Sequence, residues 1–132
     1  MYIKNTNQYG VAALCAACSL SNNKASNPVV AWEETTLRIF GEGPAQKKGC
    51  PKATFLGLCE EGLISGVPRG SYTSSSKNKR YAIRMVRWLK AYPALPIPVE
   101  KMWAYATEHS GIRPNGQTSV VVALFINGYL NG

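Results

Sequence analysis

The chain has 132 residues, which is enough for one ordinary domain whose core needs neither a metal nor a disulfide. Fifteen Lys and Arg face seven acids, and the formal net charge of +8 attracts nucleic acid, anionic membrane or acidic protein. All seven acids are Glu and His109 is the only histidine, which excludes a Ser-His-Asp triad and leaves Glu alone for any two-metal site.

Hydrophobic periodicity predicts a first helix over residues 6–21, with Thr6 as its cap. A second helix begins more clearly. Asn27 can cap it, and Pro28 suits the first position because its missing N–H would be unpaired there. The apolar residues that follow carry this helix to Gly41.

The third helix is predicted to begin at Pro51 by the same reasoning. Gly62 suits the left-handed residue that ends a helix, and Leu63 can then pack back onto Leu58. Residues 65–77 are rich in Ser, Gly and basic side chains, so we predict one long basic loop.

The fourth helix, at about 78–91, has the clearest amphipathic pattern in the chain. Three prolines between residues 93 and 98 force an extended connector after it. A fifth helix is predicted from about Pro98 to Ser110, with Gly111 able to end it.

The last apolar segment, 119–127, carries signals for both a helix and a strand. The run Val120-Val121-Val122 favours a strand. Thr118 or Ser119 can cap a helix, and Gly128 followed by Tyr129 repeats the helix-ending signal at Gly62. We predict a buried helix and leave minor strand content near 118–126 open. Residues 1–132 are therefore predicted to be a single all-α domain, a compact bundle of about six helices.

The four cysteines are predicted to be free thiols in a reducing cytoplasm. The segment before them is polar, so we expect no secretory signal, and no apolar run approaches the length of a membrane span. Cys15 and Cys18 lie within an apolar helical stripe, which favours buried packing over a metal site. Cys50 and Cys59 have the wrong spacing for zinc, and no cofactor is predicted.

Basic residues share the face of the fourth helix opposite its apolar stripe. Helical spacing makes them a ridge, and no Glu interrupts it. Phosphate backbones favour such a ridge by counterion release, while a solvated helix face is the alternative. The predicted acidic-partner surface consists of Lys77, Arg80, Arg84, Arg87 and Lys90.

The start of the third helix is a second candidate site. Cys50 directly precedes Pro51, and Lys47, Lys48 and Lys52 flank it. The helix dipole and these cations favour a thiolate or a bound anion. The alternative is that Cys50 only packs, because His109 is the one imidazole base and nothing local places it nearby.

Several motifs together resemble a family of small bacterial proteins classed only as a domain of unknown function. They are Lys48-Gly49-Cys50-Pro51-Lys52-Ala53, the stretch from Phe55 to Gly62, Asn78-Lys79-x-Tyr81-Ala82, and Asn115-x-Gln117 before Val120-Val121-x-Ala123-Leu124. The resemblance implies an intracellular bacterial protein, often carried on mobile gene cassettes, and it implies no activity. Thr118-Ser119 stand where the family pattern has Met-Asp.

The resemblance also singles out a set of polar and special residues as a candidate pocket. These are Lys48, Cys50, Tyr72, Asn78, Lys79, Tyr81, Asn115 and Gln117. Some can serve as caps and turns instead: Asn78 can begin the fourth helix, and Asn115 lies in a Pro-Asn-Gly turn.

Three hypotheses for function follow. The leading one is a non-enzymatic binding module for an acidic partner, either nucleic acid or protein. The second is a small enzyme or anion-binding protein in which Cys50 is nucleophile or anion contact, Lys48 and Lys79 stabilise charge, and Tyr81 is an acid. The third is self-association or partner docking through an apolar patch at Phe125 and Tyr129.

Overall fold

A computed structural model describes residues 7–93 and 95–131, and these residues form six helices without a strand. In chain order they are α1 (Gln8–Ser21), α2 (Pro28–Phe40), α3 (Gly49–Glu60), α4 (Ser76–Ala91), α5 (Val99–Ala106) and α6 (Gln117–Ile126). The all-α prediction is confirmed. The segment left open between helix and strand is helical, because the valine run of α6 is buried among other helices.

The first two helices begin as their capping residues dictate. Asn27 caps α2: its side-chain oxygen accepts a hydrogen bond of 3.0 Å from the backbone N–H of Val30, and Pro28 is the first helical residue as predicted. The predicted cap Thr6 lies outside the described residues. Asn7 caps α1, accepting from the N–H of Tyr9 at 2.9 Å.

Three other helix starts differ from the prediction by a fraction of a turn. α3 begins at Gly49, which makes Pro51 its third residue; this is tolerated because none of the first four N–H groups has an intrahelical partner. α4 begins at Ser76, capped by Ser75 instead of Asn78. α6 begins at Gln117, after Gly116 rather than a Thr or Ser cap.

The end of α5 was predicted too late. The helix stops at Ala106, well before Gly111. Glu108 and His109 adopt left-handed backbone angles, with φ of 56° and 57°, and the N–H of His109 bonds the carbonyl of Ala104 at 2.8 Å. This closure satisfies the last carbonyls without a glycine, which is why the sequence pattern did not reveal it.

The two predicted glycine helix ends are confirmed, and they lie side by side. Gly62 has φ +71° and Gly128 has φ +77°. Just beyond them, Ile64 and Leu130 form an isolated antiparallel bridge. The N–H of Ser65 donates to the carbonyl of Tyr129 at 2.8 Å. The ends of α3 and α6 are thereby joined.

The core lies between α1, α6 and the inner faces of the other helices. Alanines 12, 13, 16 and 17 give α1 its buried face and allow close packing with its neighbours. Cys15 and Cys18, predicted to be buried, are only half-buried at the edge of this face. Trp32 is buried in this core and stacks on Phe55 with ring centroids 5.3 Å apart.

The closest approach of α3 to α4 occurs at Gly57. A Cβ built on Gly57 would lie 2.9 Å from both Cα and Cβ of Lys79, so only glycine fits here without moving α4. Gly49, in the first turn of the same helix, has open space around the equivalent position. Gly57 is therefore packed closely against α4, whereas Gly49, in the same helix, has room for a side chain.

We predict that Gly57→Ala destabilises the protein although alanine is the better helix former. The gain in helix propensity is about 1 kcal/mol. The clash with the α4 backbone should cost about 1–3 kcal/mol more than that gain. Gly49→Ala is the matched control and should be neutral or slightly stabilising. Urea denaturation of both variants measures the difference, and equal stabilities would contradict the predicted contact.

Candidate functional site

An ion pair of two largely buried side chains holds α4 against α3. Glu60, at the end of α3, has its Oε2 atom 2.5 Å from Nζ of Lys79, and the same ammonium lies 3.4 Å from Glu61. The other carboxylate oxygen of Glu60 accepts hydrogen bonds from the backbone N–H groups of Tyr72 and Thr73, at 2.7 and 3.1 Å. One glutamate thus holds both α4 and the connecting loop.

The electrostatics of this contact follow from its geometry. The Glu60 side chain is only 13% exposed. The Lys79 ammonium, aided by the two backbone donors, lowers the pKa of Glu60 from 4.5 to about 2, and Glu60 in turn raises the pKa of Lys79. Lys79 was predicted to be a charge stabiliser for a ligand; the structure uses its charge within the fold.

A group of hydrogen bonds connects the starts of α4 and α6. Gln117 is 3% exposed, and its Nε2 donates to Oδ1 of Asn78 at 3.2 Å. Its Oε1 accepts from the backbone N–H of Asn115. Nδ2 of Asn78 reaches the capping hydroxyl of Ser75 at 3.2 Å. The structure therefore brings together three candidate pocket residues, and their polar groups satisfy one another.

The two candidate tyrosines are used in packing. The Tyr72 hydroxyl donates to the carbonyl of Pro68 at 3.0 Å, and its ring covers Gly70. Tyr81 is buried with its ring edge-on to Trp103 at 5.4 Å. Among the described residues, neither forms a hydrogen bond with Cys50.

The start of α3 keeps its half-buried thiol but has few free cations. The ammonium of Lys52 lies 2.5 Å from a carboxylate oxygen of Glu33, and that of Lys48 lies over the ring of Tyr9 at 5.6 Å. Cys50 itself is half-buried in the first turn. Two of the three lysines expected to surround this thiol therefore have other partners.

The basic face of α4, the predicted acidic-partner surface, is mostly free. Lys77, Arg80, Arg87 and Lys90 are exposed, and no ion pair involves them in the part of the chain that the structure describes. The charged groups of Lys77 and Arg80 lie 6.0 and 5.8 Å from the Tyr81 ring centroid, which leaves their charge unneutralised. Part of this face forms an open groove of about 500 Å³, here named the α4 groove. Its lining residues are Ser76, Lys79, Arg80, Ile83, Arg84 and Arg87.

Arg84 differs from its neighbours on the basic face. Its Nε and Nη2 atoms donate to the carbonyls of Ala106 and Tyr105, each at 3.1 Å, and its guanidinium lies 4.7 Å from the Tyr105 ring centroid. These are the last carbonyls of α5, where a cation also meets the negative end of the helix dipole. Arg84 therefore attaches α5 to α4 as well as contributing charge.

The chain belongs to the family of unknown function DUF6979. The family model matches residues 6–131, which confirms the resemblance to an uncharacterised family. A search of curated proteins and a search of solved structures found no match.

Within residues 7–93 and 95–131, no helix is both long and apolar enough to cross a membrane. The same residues contain no group of three or more His, Cys or Glu side chains placed to hold a metal ion.

Sequence reasoning missed two kinds of residue. Glu60 was seen only as part of a motif, because the sequence does not show that it meets Lys79 across two helices. Tyr105 was overlooked, although Lys101 and Tyr105 are one helical turn apart, as are Arg84 and Trp88 on α4. A cation followed four residues later by an aromatic residue on both helices was the sequence signal that could have indicated Tyr105.

We predict that Glu60→Gln destabilises the protein by about 1–3 kcal/mol at neutral pH, since it removes the ion pair with Lys79 and leaves that ammonium only the longer contact with Glu61. In the folded state the pKa of Glu60 is lowered from 4.5 to about 2. Its contribution to the free energy of unfolding is therefore fully present above the unfolded-state pKa of 4.5 and is lost as the pH falls toward 2.

Denaturation of wild type and variant between neutral pH and the acid limit measures this effect. The two stabilities should converge as the pH falls. Glu34→Gln is the control, because Glu34 is exposed and forms no ion pair in the described chain. A difference between wild type and Glu60→Gln that stays constant with pH would rule out the assigned electrostatic role.

Proposed function

We propose that the protein is a non-enzymatic binding module that holds the phosphate backbone of a nucleic acid on the basic face of α4. One observation carries the proposal: Lys77, Arg80, Arg87 and Lys90 are exposed on one helix with no neutralising partner in the described chain. By contrast, Lys52 and Lys79 are matched to glutamates. The unmatched charge of the described helices is thus concentrated on α4.

Phosphate suits this face for physical reasons. Arg presents a fork of N–H donors that fits phosphate oxygens, and each phosphate neutralised releases condensed counterions. The α4 groove begins at Ser76, in the first turn, where free N–H groups and the helix dipole also favour an anion. Because Glu60 and Arg84 fix α4 to α3 and α5, the helix that carries the cations is held in place before binding.

The alternative sites have less support. A site at Cys50 would have to act without the charge of Lys52, which Glu33 neutralises. The apolar patch proposed for self-association is only half-exposed, because Phe125 and Tyr129 pack against the core. An acidic protein remains the other partner class for the basic face, and the experiment below separates it from nucleic acid.

We predict that the protein binds labelled DNA and RNA fragments with an affinity that falls steeply with salt. If three or four phosphates are contacted, a plot of log affinity against log salt should have a slope of about −3. The double reversal Arg80→Glu with Arg87→Glu should weaken binding at least tenfold and make the slope shallower by about 2, since two phosphate contacts are lost. Fluorescence anisotropy across a salt series measures both quantities.

Arg80 and Arg87 are chosen over Arg84 because reversing Arg84 would also detach α5. The matched control reverses Lys24 and Lys47, which are exposed on loops away from α4 and change the net charge equally. Circular dichroism confirms that each variant is folded. Binding that survives the α4 reversal, or is lost equally in the control, would refute the proposal. No binding even at low salt would do so too and would redirect the search to acidic proteins.

A further inference from the structure

A line of aromatic and basic side chains runs along the junction of α4 and α5, beside the basic face. We name it the α4–α5 seam, formed by Arg84, Trp88, Tyr92, Lys101 and Tyr105. At one end the Arg84 guanidinium lies over the Tyr105 ring at 4.7 Å. Farther along, Trp88 and Tyr92 have ring centroids 5.3 Å apart. Together with Pro98 and Lys101, those two rings line an open groove of about 380 Å³.

The rings of the seam are more exposed than aromatic side chains usually are. Tyr92 is 61% exposed and Tyr105 is 39% exposed. Trp88 is only half-buried, although the nearby Met85 and Leu89 of the same helix are fully buried. Large flat rings that face solvent next to cations offer both stacking surfaces and charge.

The distance between the stacking surfaces on α4 favours a single-stranded nucleic acid over a duplex. Arg84 and Trp88 are one turn apart on α4, which corresponds to about 6 Å along the helix axis. Bases stacked within a duplex strand repeat at about 3.4 Å and expose their edges, while their flat faces are covered by neighbouring bases. An unstacked strand can be stretched to the wider spacing and presents those faces to aromatic rings and guanidinium planes.

We infer that the α4–α5 seam stacks the bases of a single-stranded nucleic acid whose phosphates lie along the basic face. This rests on the proposed function and names its ligand class. Arg80 and Arg87 hold the backbone, and successive bases stack on the flat guanidinium of Arg84, the ring of Trp88 and the ring of Tyr92, which follow one another at steps of four residues. Lys101 flanks the groove from α5 and adds a cation on the far side of the strand. Because every base has a flat face, the seam binds without a strong sequence preference.

The test compares a labelled single-stranded oligothymidine with a duplex of the same length, using fluorescence anisotropy at one salt concentration. Wild type should bind the single strand more tightly. Tyr92→Ala removes one stacking ring and should weaken single-strand binding about tenfold, while duplex binding stays unchanged. The variant keeps its fold because Tyr92 is exposed and its backbone N–H, which closes α4, is retained; only the ring contact with Trp88 is lost.

Two controls make the outcome specific. Leu37→Ala truncates another exposed apolar side chain, on α2, and should change neither affinity. Tyr92→Phe keeps the ring and should restore single-strand binding, which a role of the hydroxyl would not allow. The quenching of tryptophan fluorescence by bound oligothymidine should be reduced by Trp88→Phe, since Trp88 lies in the seam.

The failure of this inference is distinguishable from failure of the proposed function. If the Arg80 and Arg87 reversal weakens binding to both ligands while Tyr92→Ala affects neither, phosphate binding stands and base stacking is overturned. Preferential binding of the duplex by wild type overturns the inference in the same way. If wild type binds neither ligand at low salt, both proposals fall.

Discussion

The contact between Gly57 and Lys79 is the constraint on which the rest of the molecule depends. Since a side chain at position 57 would meet the α4 backbone, glycine lets the two helices approach closely enough for Glu60 to reach the Lys79 ammonium. The same carboxylate then accepts two backbone hydrogen bonds from the loop that precedes α4. One close approach therefore determines where α4 lies and where its outer face points.

From this fixed helix the structure extends to α5. Arg84 caps the last carbonyls of α5, and Tyr81 packs edge-on against Trp103 beneath it. A residue that sequence analysis treated as one more surface cation is thus also a connection between helices. The consequence for binding is that the backbones of α4 and α5 are already held together, so that a ligand has to order only the exposed side chains of the basic face.

Local signals predicted the fold well where the chain itself supplies the hydrogen bonds. The Asn27 cap and the two left-handed glycines depend only on neighbouring residues, and the structure has all three. The end of α5 was missed because Glu108 closes it in a conformation that usually requires glycine. The residues of the candidate pocket lie in two separate contacts for a different reason. Asn78 meets Gln117 and Lys79 meets Glu60 only because helices distant in sequence pack together, and spacing in the sequence does not show this.

The charges on α4 are placed where they oppose helix stability. Arg80, Arg84 and Arg87 repel one another at the spacing of one helical turn, and Lys77 lies in a first turn that has no acid to match the positive end of the helix dipole. The helix is retained because its other face is buried, with Met85 and Leu89 fully covered. A polyanion along the basic face would reduce both the repulsion among the arginines and the unfavourable interaction of Lys77 with the helix dipole. Within the fold, the repulsion is offset for Arg84 by its contacts with α5, and for Lys77 and Arg80 by longer contacts with the Tyr81 ring. The proposed phosphate binding would offset it along the whole basic face.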